Sequence, residues 1–252
     1  MSASTGQNLS PGFESPSRLL VVVVPAYNEK TNIAGVLAEL SAVRLERTTV
    51  EVVVVDDGST DGTAELARRL GTEVVCLPFN MGIGMSVQTG VLYALKRGAD
   101  FVVQVDGDGQ HVPGEISKLL AVLETTRSDV VVGSRFARKR RGGLESTTLA
   151  RWLAGRALAM VVRLLTGQRF SDTTSGFRIY TRRAAQLVAH SYSDDYPEVE
   201  ALVALVRRGF QVTEIGVQMR RRIHGKSSIG AWKSIYYFIK VILSSCIEKV
   251  RA

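Results

Sequence analysis

Hydrophobic residues along the chain follow two rhythms. Leu19 to Val24 and Val50 to Val55 are β-branched runs, apolar at nearly every position, as expected of strands buried on both faces of a helix-covered parallel sheet. Between them, Asn28 to Val43 carries Ile33, Val36, Leu37 and Leu40 at helical spacing, which completes a βαβ unit. The alternation continues with a helix over Asp61 to Leu70, a strand over Glu73 to Leu77, a helix over Ile83 to Lys96, a strand over Phe101 to Val105, a helix over Pro113 to Thr125 and a strand over Val130 to Gly133. This order predicts an α/β fold: a doubly wound, mostly parallel sheet with helices on both faces. Beyond Arg135 the rhythm loosens into a basic loop from Arg138 to Gly143, a helix from about Thr148 to Leu165, a turn, and a last helix from Ile229 to Ile247.

Composition divides the chain into a Ser-, Gly- and Pro-rich tail over residues 1–17, one catalytic-sized unit over 18–228 and a C-terminal amphipathic helix over 229–252. A length of 252 residues holds one large α/β domain and is too short for two with a linker. The longest apolar run, Leu19 to Ala26, is far below the ~20 residues that cross a bilayer. The tail lacks the basic start and apolar core of a secretory signal. Cys76 and Cys246 stand far apart, so neither a disulfide scaffold nor a zinc site is expected and a reducing cytoplasm fits. The net charge of +8 favours phosphate-bearing partners such as nucleotides, nucleic acid or anionic lipid.

In such sheets ligands bind beyond the carboxyl ends of the strands, so the residues after each strand carry the chemistry. Here they read Pro25-Ala26-Tyr27-Asn28-Glu29, then Asp56-Asp57-Gly58-Ser59-Thr60-Asp61-Gly62, Asn80-Met81-Gly82-Ile83-Gly84 and Asp106-Gly107-Asp108-Gly109-Gln110-His111. All four are expected to meet at one rim. Strand alternation would aim Asp106 and Asp108 to the same side, where a divalent cation on a diphosphate relieves their repulsion and Gln110 adds a neutral oxygen; the plain alternative is a polar turn. Pro113 suits a first helical position. Asp57 can serve as a turn residue, with Ser59 or Thr60 capping the next helix, and can also accept from a base N–H. Gly82 and Gly84 do not make a dinucleotide fingerprint, because that belongs after the first strand, and no phosphate-loop motif is present; they let backbone approach a nucleotide, with Asn80 fixing the loop. Later come Asp172-Thr173-Thr174-Ser175-Gly176-Phe177-Arg178 and the basic stretch Arg220 to Ser228, suited to phosphate clamping or to a solvated face.

The order VVPAYNE, VVVVDDGSTDGT, NMGIG, VQVDGDGQH and DTTSGFR resembles the family 2 glycosyltransferases of the GT-A fold, in the subgroup similar to dolichyl-phosphate mannosyl- and polyprenyl-phosphate glucosyltransferases, from about Leu19 to Ser228. The resemblance implies an inverting transfer from a nucleotide sugar (UDP, GDP or dTDP) to a lipid phosphate. It implies Pro25, Tyr27, Glu29, Asp57, Asn80, Gly82 and Asp106 at the nucleotide, and Asp106, Asp108 and Gln110 on Mg²⁺ or Mn²⁺. Arg135, Arg151, Arg178, Arg222 and Lys226 fall on acceptor or donor phosphate. The implied setting is the cytoplasmic face of a membrane, with a lipid surface or small membrane protein as partner and no nucleic acid. Two departures from the family matter. Where members acting on hydroxyls carry a Glu-Asp pair as general base, this chain has Asp195-Tyr196-Pro197-Glu198-Val199-Glu200, so that Asp195, Glu198 or Glu200 replaces the base or none is needed. Many members also end in transmembrane helices, and none is expected after Cys246. A sugar hydroxyl acceptor is the enzymatic alternative; a non-catalytic nucleotide-sugar-binding subunit is the alternative of another class.

Overall fold

A computed structural model describes residues 18–137, 149–191 and 197–220 of the protein. Within them run β1 (Arg18–Ala26), α1 (Lys30–Ser41), β2 (Thr48–Asp56), α2 (Thr63–Arg69), β3 (Glu73–Cys76), α3 (Ile83–Lys96), β4 (Phe101–Gln104), a 3-10 turn (Pro113–Glu115) leading into α4 (Ile116–Thr126), β5 (Val130–Ser134), α5 (Leu149–Thr166), β6 (Arg178–Thr181), α6 (Arg182–Ser191), α7 (Pro197–Arg207) and β7 (Val212–Gly216). The seven strands form one sheet in the order β3-β2-β1-β4-β6-β5-β7.

The alternation of side chains in β1 divides the core. Leu20, Val22 and Val24 pack on one face with Ile33, Leu37 and Leu40 of α1 and Ile116 and Leu119 of α4. Val21 and Val23 pack on the other with Val87, Val91 and Ala94 of α3 and Ala184 and Val188 of α6. A strand buried on both faces needs apolar residues in both registers, hence the unbroken valine run. A third cluster joins Leu158 and Val162 of α5 to Val199 and Leu202 of α7.

The expected doubly wound α/β sheet is present, with β1, β2, β3 and β4 parallel and β5 parallel to β7. The last third differs from expectation. A short strand, β6, lies between β4 and β5 and is antiparallel to both; α6, α7 and β7 follow it. Four residues of strand give little periodicity, and α6 buries a small face, Ala184, Ala185 and Ala189 beside Val188. The expected tail 1–17 and helix 229–252 lie outside the described residues.

Candidate functional site

The loops after the first four strands meet at one rim, laced together by their own polar groups. The Asn28 N–H donates to Ser59 Oγ at 2.9 Å and the Thr60 N–H to Asn28 Oδ1 at 2.9 Å, while the Glu29 and Lys30 amides donate to Thr63 Oγ1 and Asp61 Oδ2, each at 3.0 Å. Asp61, rather than Ser59 or Thr60, opens α2, accepting the Thr63 N–H at 3.0 Å. Burial alone would raise the Asp61 carboxyl, but donors from Thr63 and the backbone hold it below its ordinary value. Asp57 is 4% exposed and accepts the Met81 N–H at 2.7 Å and the Gly82 N–H at 2.9 Å. It therefore fixes the third loop, where Gly82 takes a φ of 93° open to glycine. The Gly107 N–H reaches Pro25 O at 3.2 Å and ties the fourth loop to the first. Tyr27 is 46% exposed, Asn80 is exposed as well, and Glu29 is buried, accepting from Asn32 Nδ2 at 2.6 Å.

β4 ends at Gln104, so Asp106 and Asp108 are placed by a turn and not by strand alternation. Three residues aim Asp106. Gln104 Nε2 donates to its Oδ1 at 3.0 Å, and its backbone N–H donates to His111 Nδ1 at 3.0 Å. That second bond puts the proton of a neutral His111 on Nε2, 3.7 Å from Asp106 Oδ2. The imidazole is itself held by stacking on Phe177, with centroids 4.8 Å apart. Gly176 is the third: a methyl there would lie 2.5 Å from Gln104 Nε2 and 3.3 Å from Asp106 Oδ1. Asp108 accepts the Gln110 backbone N–H at 3.0 Å and its side-chain N–H at 2.5 Å. Gln110 thus steadies Asp108 through its amide nitrogen, where the sequence suggests an oxygen ligand.

Arg135, just past β5, meets Asp172 in a two-pronged ion pair, Nε to Oδ2 and Nη2 to Oδ1, both 2.8 Å, and its backbone N–H reaches Oδ2 at 3.1 Å. The Asp172 hydrogen bonds raise the Arg135 pKa, against its partial burial and with help from the charges of Asp172 and Asp106. Arg178 stands differently from the expected phosphate contact. It is 0% exposed, and its guanidinium donates to Ser175 O at 2.7 Å, Glu198 O at 2.6 Å and Thr173 O at 2.9 Å. As placed, it clamps the loop before β6 to the start of α7. Burial pushes the Glu198 carboxyl above its ordinary value; Arg178 and its own backbone amide oppose the shift, and the charge of Asp106 adds to it.

Asp106, Asp108, Arg135 and Glu198 therefore belong to one neighbourhood, bordered by the loops after the first four strands. Glu200 lies on α7, partly buried. Arg222, Lys226 and Asp195 lie outside the described residues, as does the Arg151 side chain. Gln104, His111, Gly176 and Asp172 are the contributors that sequence reading does not assign. For His111 and Gly176 the signal was present in the motifs DGDGQH and DTTSGFR. For Gln104, a polar residue closing an apolar strand, it was fainter.

The donor set suits a hard divalent cation. Two carboxylates on a tight turn, with the Asp106 side chain 33% exposed, match an ion that takes its remaining oxygens from a diphosphate. No group of three His, Cys, Asp or Glu side chains that could hold a metal occurs among the described residues, so the protein alone would supply only part of the coordination.

The sequence model described as "Glycosyl transferase family 2" matches residues 21–187. The chain is 28% identical over 233 residues to the polyprenol monophosphomannose synthase of Mycolicibacterium smegmatis, covering 89% of this chain and 86% of that protein. It is 26% identical over 220 residues to the UDP-N-acetylglucosamine–dolichyl-phosphate N-acetylglucosaminyltransferase of Methanococcus voltae, covering 80% and 85%. The crystal structure of glucosyl-3-phosphoglycerate synthase from Mycobacterium tuberculosis, in complex with Mn²⁺, UDP and glucosyl-3-phosphoglycerate, superposes with a TM-score of 0.71 at 24% identity, over 91% of this chain and 80% of that one. At that identity the likeness speaks for the fold.

Proposed function

Because the chain belongs to glycosyltransferase family 2 and has the GT-A fold of a nucleotide-sugar glycosyltransferase, we propose that it transfers a sugar, with inversion, to a polyprenyl phosphate presented at the cytoplasmic face of a membrane. The observation that carries this reading is the pairing at the rim: the acidic turn Asp106-Gly107-Asp108 lies near Arg135, whose fork is already taken by Asp172. Asp106 and Asp108 are held on one turn by Gln104 and Gln110, an arrangement that suits a hard divalent cation, and Arg135 is fixed close by through Asp172. The names of the Mycolicibacterium and Methanococcus relatives support a polyprenyl or dolichyl phosphate as acceptor.

In this reading Pro25, Tyr27, Glu29, Asp57, Asn80 and Gly82 shape the cleft for base and ribose. Asp106 and Asp108 would hold Mg²⁺ or Mn²⁺, which offsets the charge of the departing nucleoside diphosphate. Arg135 orients a substrate phosphate with the part of its guanidinium that Asp172 does not hold, and the acceptor oxygen attacks the anomeric carbon in line. A phosphate acceptor is ionised at neutral pH and needs no general base. The reading keeps Arg222 and Lys226 on phosphate and gives Trp232, Ile235, Tyr236, Ile239, Ile242 and Leu243, which recur at helical spacing in the sequence, to the lipid surface. No helix among the described residues is long and apolar enough to cross a membrane.

A panel of UDP-, GDP- and dTDP-sugars assayed with Mg²⁺ or Mn²⁺ and a polyprenyl phosphate tests the reading, scored by nucleoside diphosphate release and lipid-linked product. Release with no lipid product under any donor would sink the acceptor assignment. One observation favours a second reading, transfer to a sugar hydroxyl: Glu198 stands at the start of α7, where Arg178 ties its backbone to the loop before β6, and burial, with the charge of Asp106 adding to it, pushes its carboxyl up in the direction that suits a general base. Glu198→Gln should abolish transfer to a hydroxyl and spare transfer to a phosphate.

A further inference from the structure

We propose that Glu214, on β7 and beyond the matched family region, is a positioning residue that presents Arg135 to the substrate phosphate by holding the loop on which Asp172 sits. The proposal rests on the phosphate role given to Arg135. Glu214 lies on the edge strand of the sheet, on the same face as Val212 by strand alternation. Its carboxylate accepts the Ser171 N–H at 2.8 Å, the Ser171 hydroxyl at 2.9 Å and the Asp172 N–H at 2.7 Å. Three donors from two consecutive residues on one carboxylate fix the backbone from which the Asp172 side chain departs.

Asp172 is buried and has most of its acceptor capacity committed to Arg135, through Nε, Nη2 and the backbone N–H. The Ser171 hydroxyl also lies 2.9 Å from Ser134 Oγ, which accepts the Phe136 and Ala137 amides at 3.1 Å. The segment carrying Arg135 is thus held from two sides, and both holds lead back to Ser171 and Asp172. A guanidinium gripped by its Nε–Nη2 edge can offer a phosphate only the rest of the group, so its usefulness depends on where the carboxylate beneath it points. An amide at position 214 would place an N–H against donors that now find an acceptor. The loop would turn, and Arg135 would keep its charge and lose its bearing.

The test uses the full chain with Mg²⁺ and saturating nucleoside diphosphate, and measures farnesyl phosphate binding by calorimetry beside thermal unfolding. Glu214→Gln and Arg135→Gln should each weaken binding by about tenfold, the size of one charge-assisted contact. The double variant should be no weaker than Arg135→Gln alone, because both changes remove one interaction. Glu214→Asp, one methylene shorter, should fall between and serves if the glutamine variant does not fold. Losses that multiply in the double variant overturn the relay, as does full binding by folded Glu214→Gln or Glu214→Asp while Arg135→Gln is weakened. Full binding by Arg135→Gln removes the phosphate role of Arg135 and the relay with it.

Discussion

Replacing Arg178 separates a scaffold role from a substrate role. The side chain is wholly buried and donates to three backbone carbonyls, those of Thr173, Ser175 and Glu198. Arg178→Met keeps most of the volume and removes every donor. Three buried carbonyls left without partners, at roughly 1–3 kcal/mol each and with some relaxation, cost about 3–5 kcal/mol, a large part of a normal ~5–15 kcal/mol stability. With a urea dependence of about 3 kcal/mol/M, the unfolding midpoint should fall by more than about 1 M. Arg178→Lys should recover little, because a point charge cannot serve three carbonyls set for a planar fork. Below its lowered midpoint, the folded methionine variant should bind nucleoside diphosphate and Mg²⁺ within about threefold of the parent, less than the loss of one hydrogen bond to a charged group. An unmoved midpoint together with lost phosphate binding would refute the scaffold assignment and return Arg178 to the substrate.

Asp108→Asn should lower turnover by about 3 kcal/mol of transition-state stabilisation, the scale of one electrostatic contact to a leaving group, and excess chelator should silence the parent enzyme; full turnover in chelator would count against the cation. Gly176→Ala pushes a methyl to 2.5 Å from Gln104 Nε2, so overpacking of about 1–3 kcal/mol should appear in denaturant titration together with a loss of Mn²⁺-dependent activity. Asp57→Asn turns an amide against the Met81 or Gly82 N–H and should weaken nucleoside-diphosphate binding in calorimetry; unchanged binding would leave Asp57 a loop anchor alone. Glu198 has a folded carboxyl pushed above its ordinary 4.5, so its contribution to stability is greatest below that value and declines as pH rises towards the folded one. Glu198→Gln should accordingly be more stable than the parent at neutral pH, and the gap in urea unfolding should close towards acid.

What could be read from sequence was local. The valine runs of β1 and β2, the helix spacing of α1 and the polar segments after four strands each carry their signal within ten residues or so, and the rim they form follows from the parallel topology alone. The roles of Arg135 and Arg178 could not be separated in the same way. Both are arginines next to a phenylalanine and within three residues of a serine, and both match phosphate positions by resemblance. One meets a carboxylate from 37 residues away and stays at the rim; the other meets only carbonyls and is sealed inside. That difference depends on long-range packing, as does the grip of Glu214 on residues 43 and 42 positions earlier.

The direction of β6 explains why these distant residues meet. Parallel strands end at the rim, and the segments that precede them lie at the far side of the sheet. β6 is antiparallel to β4 and β5, with Arg178 opposite Val132 and Ile179 opposite Val103, so it begins where they end. Residues 172–177, which lead into it, are therefore delivered to the rim from the one direction that parallel connections cannot supply. Gly176 comes to rest on Gln104 and Asp106, Phe177 on His111, and Asp172 under Arg135. A four-residue strand that is almost invisible in the hydrophobic pattern thus joins the acidic turn to Arg135, and the chemistry proposed for this protein requires both at one place.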